Sequence, residues 1–600
     1  MYLSELKLWN FRKYTNEDSS IDVSKPHLSV PFVKGLNVLI GENDSGKTAI
    51  IDAVKLVLKT HAYERISPSV EDFNINADCF RIELEFKDLN NEEAMHFTEW
   101  LGWDDDSQKP KLRLVYQVKK VGDTPLYADV CAGSDLDGSP IHAKAREYLK
   151  TTYLRALRDA ENELTAKKNS RLSQILSGHV LFKPDADGTN RLVGLMRDAN
   201  TGIKNWFNEE NPPGNENEIK KSIHKFIRDF VNSNTDVAFS VSGSKIREIL
   251  ENLSIEIDGE VNLGLGTLNR LYMATELLHI QKTDWSGLRL CLIEELEAHL
   301  HPQAQMKVIN SLQQQKEQYI ISTHSPILAS KINLGTSDKS QILLCKNNKV
   351  FPMGSAYTLL NEDDYQDLEN FLDATKANLF FAKGLILVEG WAEEILIPAI
   401  CKKLDIDLAE HEVSVINVGS TAYLRYAKIF MRRNMEQMDV KVSIITDTDV
   451  PAADDGSIDT HEEQQKQARI ISQIDVTNHP DIKWNLATHW TLEWCLYKSA
   501  IVGDLFKQAV KSIHQRIFDD DATFEKELIC RLRKYELTAN GTKKKVASLD
   551  KVEVAYKLAA LIKNDNIHDW RQSDPEGIGY LIEAIKHACR MKIIKDGNKR

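Results

Sequence analysis

Leu385-Ile386-Leu387-Val388-Glu389-Gly390-Trp391-Ala392-Glu393 is the stretch that decides how this chain is read. A short apolar run ends on a carboxylate and a glycine, and a second carboxylate follows four residues after the first. Such a run, bounded by a turn signal, reads as a buried strand. Ser443-Ile444-Ile445-Thr446-Asp447-Thr448-Asp449 repeats the arrangement, with two acids spaced i, i+2. In a parallel sheet, ligands gather beyond the carboxyl ends of the strands, so both segments would bring their acids to one edge. Acids crowded there repel one another unless a divalent cation holds them, and oxygen-only ligands suit magnesium or manganese. The expectation is a metal site for phosphate chemistry built on Glu389, Glu393, Asp447 and Asp449.

A second signal lies near the N-terminus. Gly41-Glu42-Asn43-Asp44-Ser45-Gly46-Lys47-Thr48 fits the G-x-x-x-x-G-K-[ST] phosphate-binding loop, or P-loop. Leu36 to Ile40 before it reads as a strand, and Thr48 to about Leu58 as a helix. In that setting loop amides and a helix N-terminus cradle phosphates, Lys47 reaches the outer phosphates and Thr48 holds magnesium. Its companions follow in order. Leu288 to Ile293 is an apolar strand ending on Glu294 and Glu295, the Walker B pattern, with Glu294 where an aspartate is usual and Glu295 placed to polarise water. Tyr319 to Ser322 leads to His324, placed to contact a γ-phosphate. Asn262-Leu263-Gly264-Leu265-Gly266-Thr267 precedes a helical pattern and can present amides to phosphate.

Composition sets the bounds. A chain of 600 residues divides into several domains, and 42% hydrophobic with 28% charged residues is ordinary for a globular protein. No apolar run approaches the ~18 residues of a membrane span, no signal-peptide pattern opens the chain, and the eight cysteines form no C-x-x-C pair. A reducing cytoplasm is expected. The net charge of −13 argues against a broadly basic surface. Local basic groups remain: Arg425, Lys428, Arg432 and Arg433 at roughly helical spacing, and Lys543-Lys544-Lys545. Each reads as a solvated face or as a contact for nucleic acid.

Residues 1–150 alternate short strands with loops, for instance Leu3–Leu8 and Phe80–Phe86 at period two. From 151 to 235 the pattern turns to long charged helices such as Tyr153–Leu176, with a polar stretch at Asn211-Pro212-Pro213-Gly214-Asn215. That segment reads as a helical insert. Alternation resumes over 236–375, where Asp363–Lys376 is a connecting helix, and residues 376–600 form a new α/β unit.

The P-loop, Walker B and His324 in this order, with Asn10-Phe11-Arg12 after the first strand and Asn43 in the loop, resemble the ABC-type ATPases of the branch that includes RecF and the chromosome-maintenance proteins. Leu263-Gly264-Leu265-Gly266-Thr267 departs from the signature LSGGQ of that family. Glu389-Gly390, Glu393 and Asp447-x-Asp449 resemble the Toprim domain of topoisomerases, primases and certain nucleases. Together the halves resemble the OLD (overcoming lysogenization defect) family, as do the segments Tyr153–Ala160 and Asp373–Ala382. The resemblance implies an α/β chain: an ATPase domain split by a helical dimerisation insert, then a Toprim nuclease. It implies a further metal ligand at Glu493 in Thr491-Leu492-Glu493-Trp494, and a catalytic lysine at Lys551 in Lys551-Val552-Glu553-Val554-Ala555.

The leading expectation is an ATP-regulated DNA endonuclease using two metal ions, with Glu389, Asp447, Lys551 and Glu295 catalytic. Glu389, Glu393, Asp447, Asp449 and Glu493 share the metals, and Asn43, Gly46, Lys47, Thr48, Glu294, His324, Gly264 and Gly266 bind ATP. The resemblance also implies a homodimer or higher oligomer, and anti-phage defence alone or beside a helicase or retron. The alternative is an ATP-gated DNA clamp or repair scaffold that does not cut. Strand passage would need a tyrosine in a separate breakage domain, for which the chain shows no room.

Overall fold

The computed structural model describes residues 1–591 except 17–18, 63–65, 105–107, 156–162, 184–189, 209–220, 224, 226–242, 244, 256, 258–263, 281–284, 333, 336–338, 420–421, 476, 519, 539–541 and 571. The Asn211–Asn215 stretch, most of the Tyr153–Ala160 segment, and Asn262 and Leu263 lie outside these. The chain divides into two compact units. The first is Met1–Gly35, Thr48–Gln305 and Gln314–Ile321; the second is Leu36–Lys47, Met306–Gln313 and Ser322–Arg600.

The first unit is built on an antiparallel sheet. Its strands run Leu28–Pro31, Tyr2–Trp9, Cys79–Lys87, Pro110–Val121, Cys131–Ala132 and Ser139–Pro140 in spatial order. Period-two alternation buries Leu6, Leu8, Ile82, Leu84, Leu112 and Leu114. The same unit holds parallel pairing of Thr152–Leu154 with Leu290–Ile293, and of that strand with Gln318–Ile321. The helix expected to start at Tyr153 is therefore a strand at its outset, and among the described residues of the expected span helix appears at 163–164 and over Arg171–Ser177. The β-branched and aromatic pair Thr152-Tyr153 suits a strand, and register with Cys291–Ile293 gives it backbone partners that charge patterning could not reveal.

In the second unit, Leu36–Ile40 runs parallel to Ser340–Lys346, which turns through Asn347 and Asn348 into Lys349–Pro352. Both asparagines have positive φ, 49° and 59°, as a tight two-residue hairpin requires. The helix Glu362–Phe371 opens on a capping box formed by Asn361 and Asp364. Beyond it lies a four-stranded parallel sheet in the order Val413–Asn417, Gly384–Val388, Lys441–Thr446, Ile482–Leu486. The strand that opened the argument is thus interior, with every residue buried. The strand Lys441–Thr446 lies beside it, in register Gly384↔Lys441 to Leu387↔Ile444. Residues following both strands therefore emerge at the same sheet edge.

Candidate functional site

Glu389 follows the first of these strands directly, and Glu393 lies in the first turn of the helix Trp391–Lys403. Asp447 follows the second strand, and Asp449 adopts φ +53°, which turns the chain away from the sheet. Glu493 is in the first turn of the helix Leu492–Lys498, and the Leu492 N–H donates to Asp447 Oδ1 at 2.9 Å. Lys551 opens the helix Lys551–Asn564, and its Nζ stands 2.8 Å from Glu493 Oε2. Thr446 donates its hydroxyl to Glu389.

These groups form one electrostatic neighbourhood. Burial pushes the Glu393 carboxyl up to about 7, and the nearby charges of Glu493 and Glu389 add to the rise. Asp447 is raised by burial and then by Glu493, Glu393 and Glu389. Glu389 is raised by burial and by Asp449, against the Thr446 hydrogen bond. Burial works against the charge of Lys551, but Glu493, Asp447 and Glu393 together outweigh it and raise its pKa.

Among the described residues, no three His, Cys, Asp or Glu side chains converge closely enough to hold an ion as they stand. The surroundings nonetheless fit a divalent cation. The acids supply oxygen donors, and proximity raises the cost of their charges. Two buried hydroxyls, Thr491 Oγ1 and Tyr580 Oη, also have no hydrogen-bond partner. Tyr580 is buried and senses Asp447, Glu393 and Glu493, so its hydroxyl belongs to this neighbourhood. Sequence reading assigned a role to neither: Thr491 directly precedes the helix that carries Glu493, and Tyr580 lies on the helix Gly579–Ala588, remote in the chain.

The nucleotide motifs stand in their expected local settings. Lys47 is only 4% exposed and curls over its own loop, its Nζ donating to the carbonyls of Gly41 (2.8 Å) and Glu42 (2.6 Å). Gly41 has φ +152°, and a Cβ there would fall 2.3 Å from the Cys345 carbonyl oxygen, so only glycine fits. Asn43 and Thr48 are exposed, while Gly46 is half-buried in the same loop. His324 directly follows the strand Gln318–Thr323 and is also half-buried.

Glu294 is buried after the strand Leu290–Ile293 and accepts from the Tyr153 hydroxyl at 3.1 Å. Its pKa is raised by burial and by Asp52. Asp52, one helical turn beyond Thr48, was not singled out from sequence; Arg12 pairs with it at 2.9 Å and with Asp72 at 2.9 Å. Glu295 has φ +43°. Gly264 precedes the helix Leu265–Ile280, and Gly266 sits in its first turn, where a Cβ would fall 2.8 Å from the His299 carbonyl oxygen.

The Arg425–Arg433 basic group is largely engaged by partners within the fold, with Arg432 buried and Arg433 exposed. Arg425 pairs with Asp367 at 2.6 Å, and Lys428 with Asp364 at 2.9 Å. Arg432 is buried between the rings of Phe351 and Tyr357, and Arg433 donates to the Ser355 carbonyl. Lys543–Lys545 forms an exposed strand paired with Tyr535–Leu537. Another unforeseen lysine is more telling. Lys346 is 6% exposed, and its ammonium bridges Glu42 of the P-loop (3.0 Å) and the carbonyl of Ala382 (2.7 Å), two residues before the Glu389 strand.

Residues 36–330 match an AAA-domain family whose description names the AbiEii toxin and type IV toxin–antitoxin systems. Residues 380–449 match the family described as Overcoming lysogenization defect protein-like, TOPRIM domain. The endonuclease GajA of Bacillus cereus is 24% identical over 667 aligned positions, which cover 89% of this chain and 93% of GajA. The OLD nuclease of Thermus scotoductus is 24% identical over 195 positions, covering 30% of this chain and 35% of that protein. The solved C-terminal region of the Burkholderia pseudomallei OLD protein aligns with 35% of this chain and 98% of its own length, at 16% identity and a TM-score of 0.23. No described helix is long and apolar enough to cross a membrane. An ATPase domain and a Toprim domain imply use of a nucleotide and of a divalent metal. The chain is a homologue of the GajA and OLD nucleases in which a P-loop ATPase domain is followed by an OLD-like Toprim domain.

Proposed function

We propose that this protein is an ATP-regulated DNA endonuclease that hydrolyses phosphodiesters in its Toprim domain, in defence against phage. The observation that carries the reading is the neighbourhood of Glu389, Glu393, Asp447, Asp449, Glu493 and Lys551, in which the pKa of three of the acids is raised by burial and one another's charge. The similarity to GajA along most of both chains supports it.

Glu389, Glu393, Asp447, Asp449 and Glu493 would hold magnesium or manganese. Magnesium keeps several waters and takes only one or two carboxylates plus substrate phosphate, so acids too widely set for a dry cage suit it. When bound, two such ions would supply Lewis acidity and an activated water for in-line displacement at phosphorus. Lys551 places a permanent positive charge at the rim, 44% exposed, where it can meet the phosphate or the leaving oxygen. Thr446 orients Glu389, and the Leu492 amide fixes one oxygen of Asp447.

In the nucleotide half, the loop around Asn43 and Gly46, with Lys47, Thr48 and His324, would bind ATP and its magnesium. Glu294 would complete that ligation, Glu295 would orient water, and the signature loop carrying Gly264 and Gly266 would close on nucleotide held by a partner subunit. On this reading the ATPase domain comprises 1–150 and 236–375, residues 151–235 form the dimerisation insert, and 376–600 are the nuclease. A homodimer, and a helicase or retron component encoded alongside it, are the partners this reading implies.

Supercoiled plasmid incubated with Mg²⁺ or Mn²⁺, with and without ATP, tests the proposal. Nicked or linear product from wild type, absent with Asp447→Ala while nucleotide binding persists, is the expected result. Plasmid that stays supercoiled under all these conditions returns the chain to the clamp reading. Lys47→Ala then reports whether nucleotide promotes or restrains cutting.

A further inference from the structure

The first turn of the helix Trp391–Lys403 serves two places. Glu393 joins the acid neighbourhood, whereas Glu394, the next residue and so about 100° around the helix, accepts from Asn417 Nδ2 at 2.9 Å on another side. Glu394 and Trp391 there line a pocket of about 470 Å³. Its floor is apolar, from Ile416, Val418 and Tyr426, all buried. Two large aromatic side chains at its margin are left open to solvent: Trp391 at 62% and Phe371 at 61%. Exposed large aromatics beside a concave apolar site mark a binding surface.

Charge selects the occupant. Asp367 and Asp373 in the lining are matched by Arg425 at 2.6 Å and Lys376 at 2.7 Å. Glu394 remains, so the pocket carries no surplus of positive charge and disfavours a phosphate. It suits a flat, uncharged heterocycle that stacks on aromatic faces and donates an N–H to a carboxylate. Geometry points the same way. The pocket opens at the Val413–Asn417 side of the central strand, and Asp447 follows the strand on the other side. Adjacent strands lie about 4.8 Å apart, so the pocket and Asp447, two spacings apart, are separated by roughly 10 Å, a distance that a short single-stranded segment spans.

We propose that this pocket receives an unpaired base of the DNA strand held at the acid site, stacked by Trp391 and Phe371 and read at its edge by Glu394. The proposal rests on the nuclease reading above and extends it to the substrate: a strand with an extruded or single-stranded base beside the scissile phosphate. Bases carrying an amino group, which can donate to Glu394, are favoured over thymine.

The test measures anisotropy of a labelled single-stranded oligonucleotide without cleavage, in Ca²⁺, alongside ATP binding. Trp391→Ala and Phe371→Ala should each weaken DNA binding about ten-fold, within the range for loss of one base–aromatic stack, and leave ATP binding unchanged. An abasic site walked along the oligonucleotide should reproduce the loss at one register, and there Trp391→Ala should have no further effect. Wild-type cleavage with both variants binding DNA within two-fold of wild type overturns the pocket assignment alone. A variant defect insensitive to abasic position does the same. A wild type that neither binds nor cuts DNA overturns the nuclease reading and the pocket with it. Binding of free adenosine that depends on Trp391, without an effect on DNA, overturns the DNA assignment in favour of a small regulatory ligand.

Discussion

Replacing Glu393 with glutamine isolates the electrostatic cost of the acid neighbourhood. The Glu393 carboxyl is 8% exposed and has its pKa raised from 4.5 to about 7. An acid whose folded pKa exceeds its unfolded value contributes stability below the unfolded pKa, and that contribution is lost as pH rises through the folded pKa. Metal-free wild type should therefore lose stability between about pH 4.5 and 7, whereas Glu393→Gln should not. A difference of 2.5 pH units at about 1.4 kcal/mol each gives an upper value of about 3.5 kcal/mol. At pH 8 in EDTA the variant should be more stable by about 2–3 kcal/mol, which shifts the melting of a unit this size by roughly 5–10 °C. Because a chain of several domains need not melt in one step, amide exchange in Gly384–Val388 and Lys441–Thr446 is the sharper readout. Mg²⁺ at 100 times its dissociation constant should return about 2.7 kcal/mol to wild type and less to the variant, closing the gap. A variant less stable than wild type at pH 8 in EDTA, or a gap unchanged between pH 5 and pH 8, would refute the reasoning.

Lys551→Met should lower plasmid cleavage by roughly 10²-fold, as loss of one group stabilising developing charge does, with ATP affinity unchanged; cleavage rates across saturating metal check this. Lys346→Met leaves Glu42 and the Ala382 carbonyl without their shared ammonium. It should abolish whatever effect ATP has on cleavage, read as the ratio of rates with and without nucleotide, while the metal-saturated rate without ATP stays near wild type. His587 bonds to Ser443 at 3.0 Å, and its pKa is lowered to about 4 by burial and then by Lys483. The unfolded chain takes up this proton near pH 6.5, so stability should fall as pH drops from about 6.5 to 4, by about 1–2 kcal/mol after allowing for solvent screening. Denaturant titrations of wild type and His587→Asn, the latter with a flatter pH dependence, check the sign.

The strands ending in acids were legible because a parallel sheet buried on both faces demands continuous apolar runs, and Leu385–Val388 and Ser443–Ile445 stand out as such. The P-loop was legible for a related reason: Gly41 is fixed by the approach of the Cys345 carbonyl, and no other residue type could stand there. Tyr153 misled because a charged segment with helical periodicity began inside a strand whose partner lies well over a hundred residues away. The Arg425–Arg433 group misled in the opposite sense. Its spacing is that of a helix surface, but its partners Asp364, Asp367 and Phe351 come from elements earlier in the chain, and nothing local in the sequence announces them.

The same distinction explains what was visible of the site. Acids at strand ends are set by local chain geometry, whereas Asp52, Thr491, Tyr580 and Lys346 matter through atoms remote in sequence. Lys346 shows the consequence most clearly. As a sequence residue it is only the end of an apolar strand, where a lysine ordinarily carries its charge out to water. In the fold its ammonium is buried between the P-loop and the residue pair that leads into the Glu389 strand. A buried charge cannot lose one partner without a large penalty, since the group left behind remains desolvated. Lys47 holds the Glu42 carbonyl at 2.6 Å, so any phosphate that draws Lys47 away alters the loop to which Lys346 is tied. The P-loop and the segment leading into the Glu389 strand are therefore linked through the side chains of Glu42 and Lys346, and the charge of Lys346 makes that link costly to break.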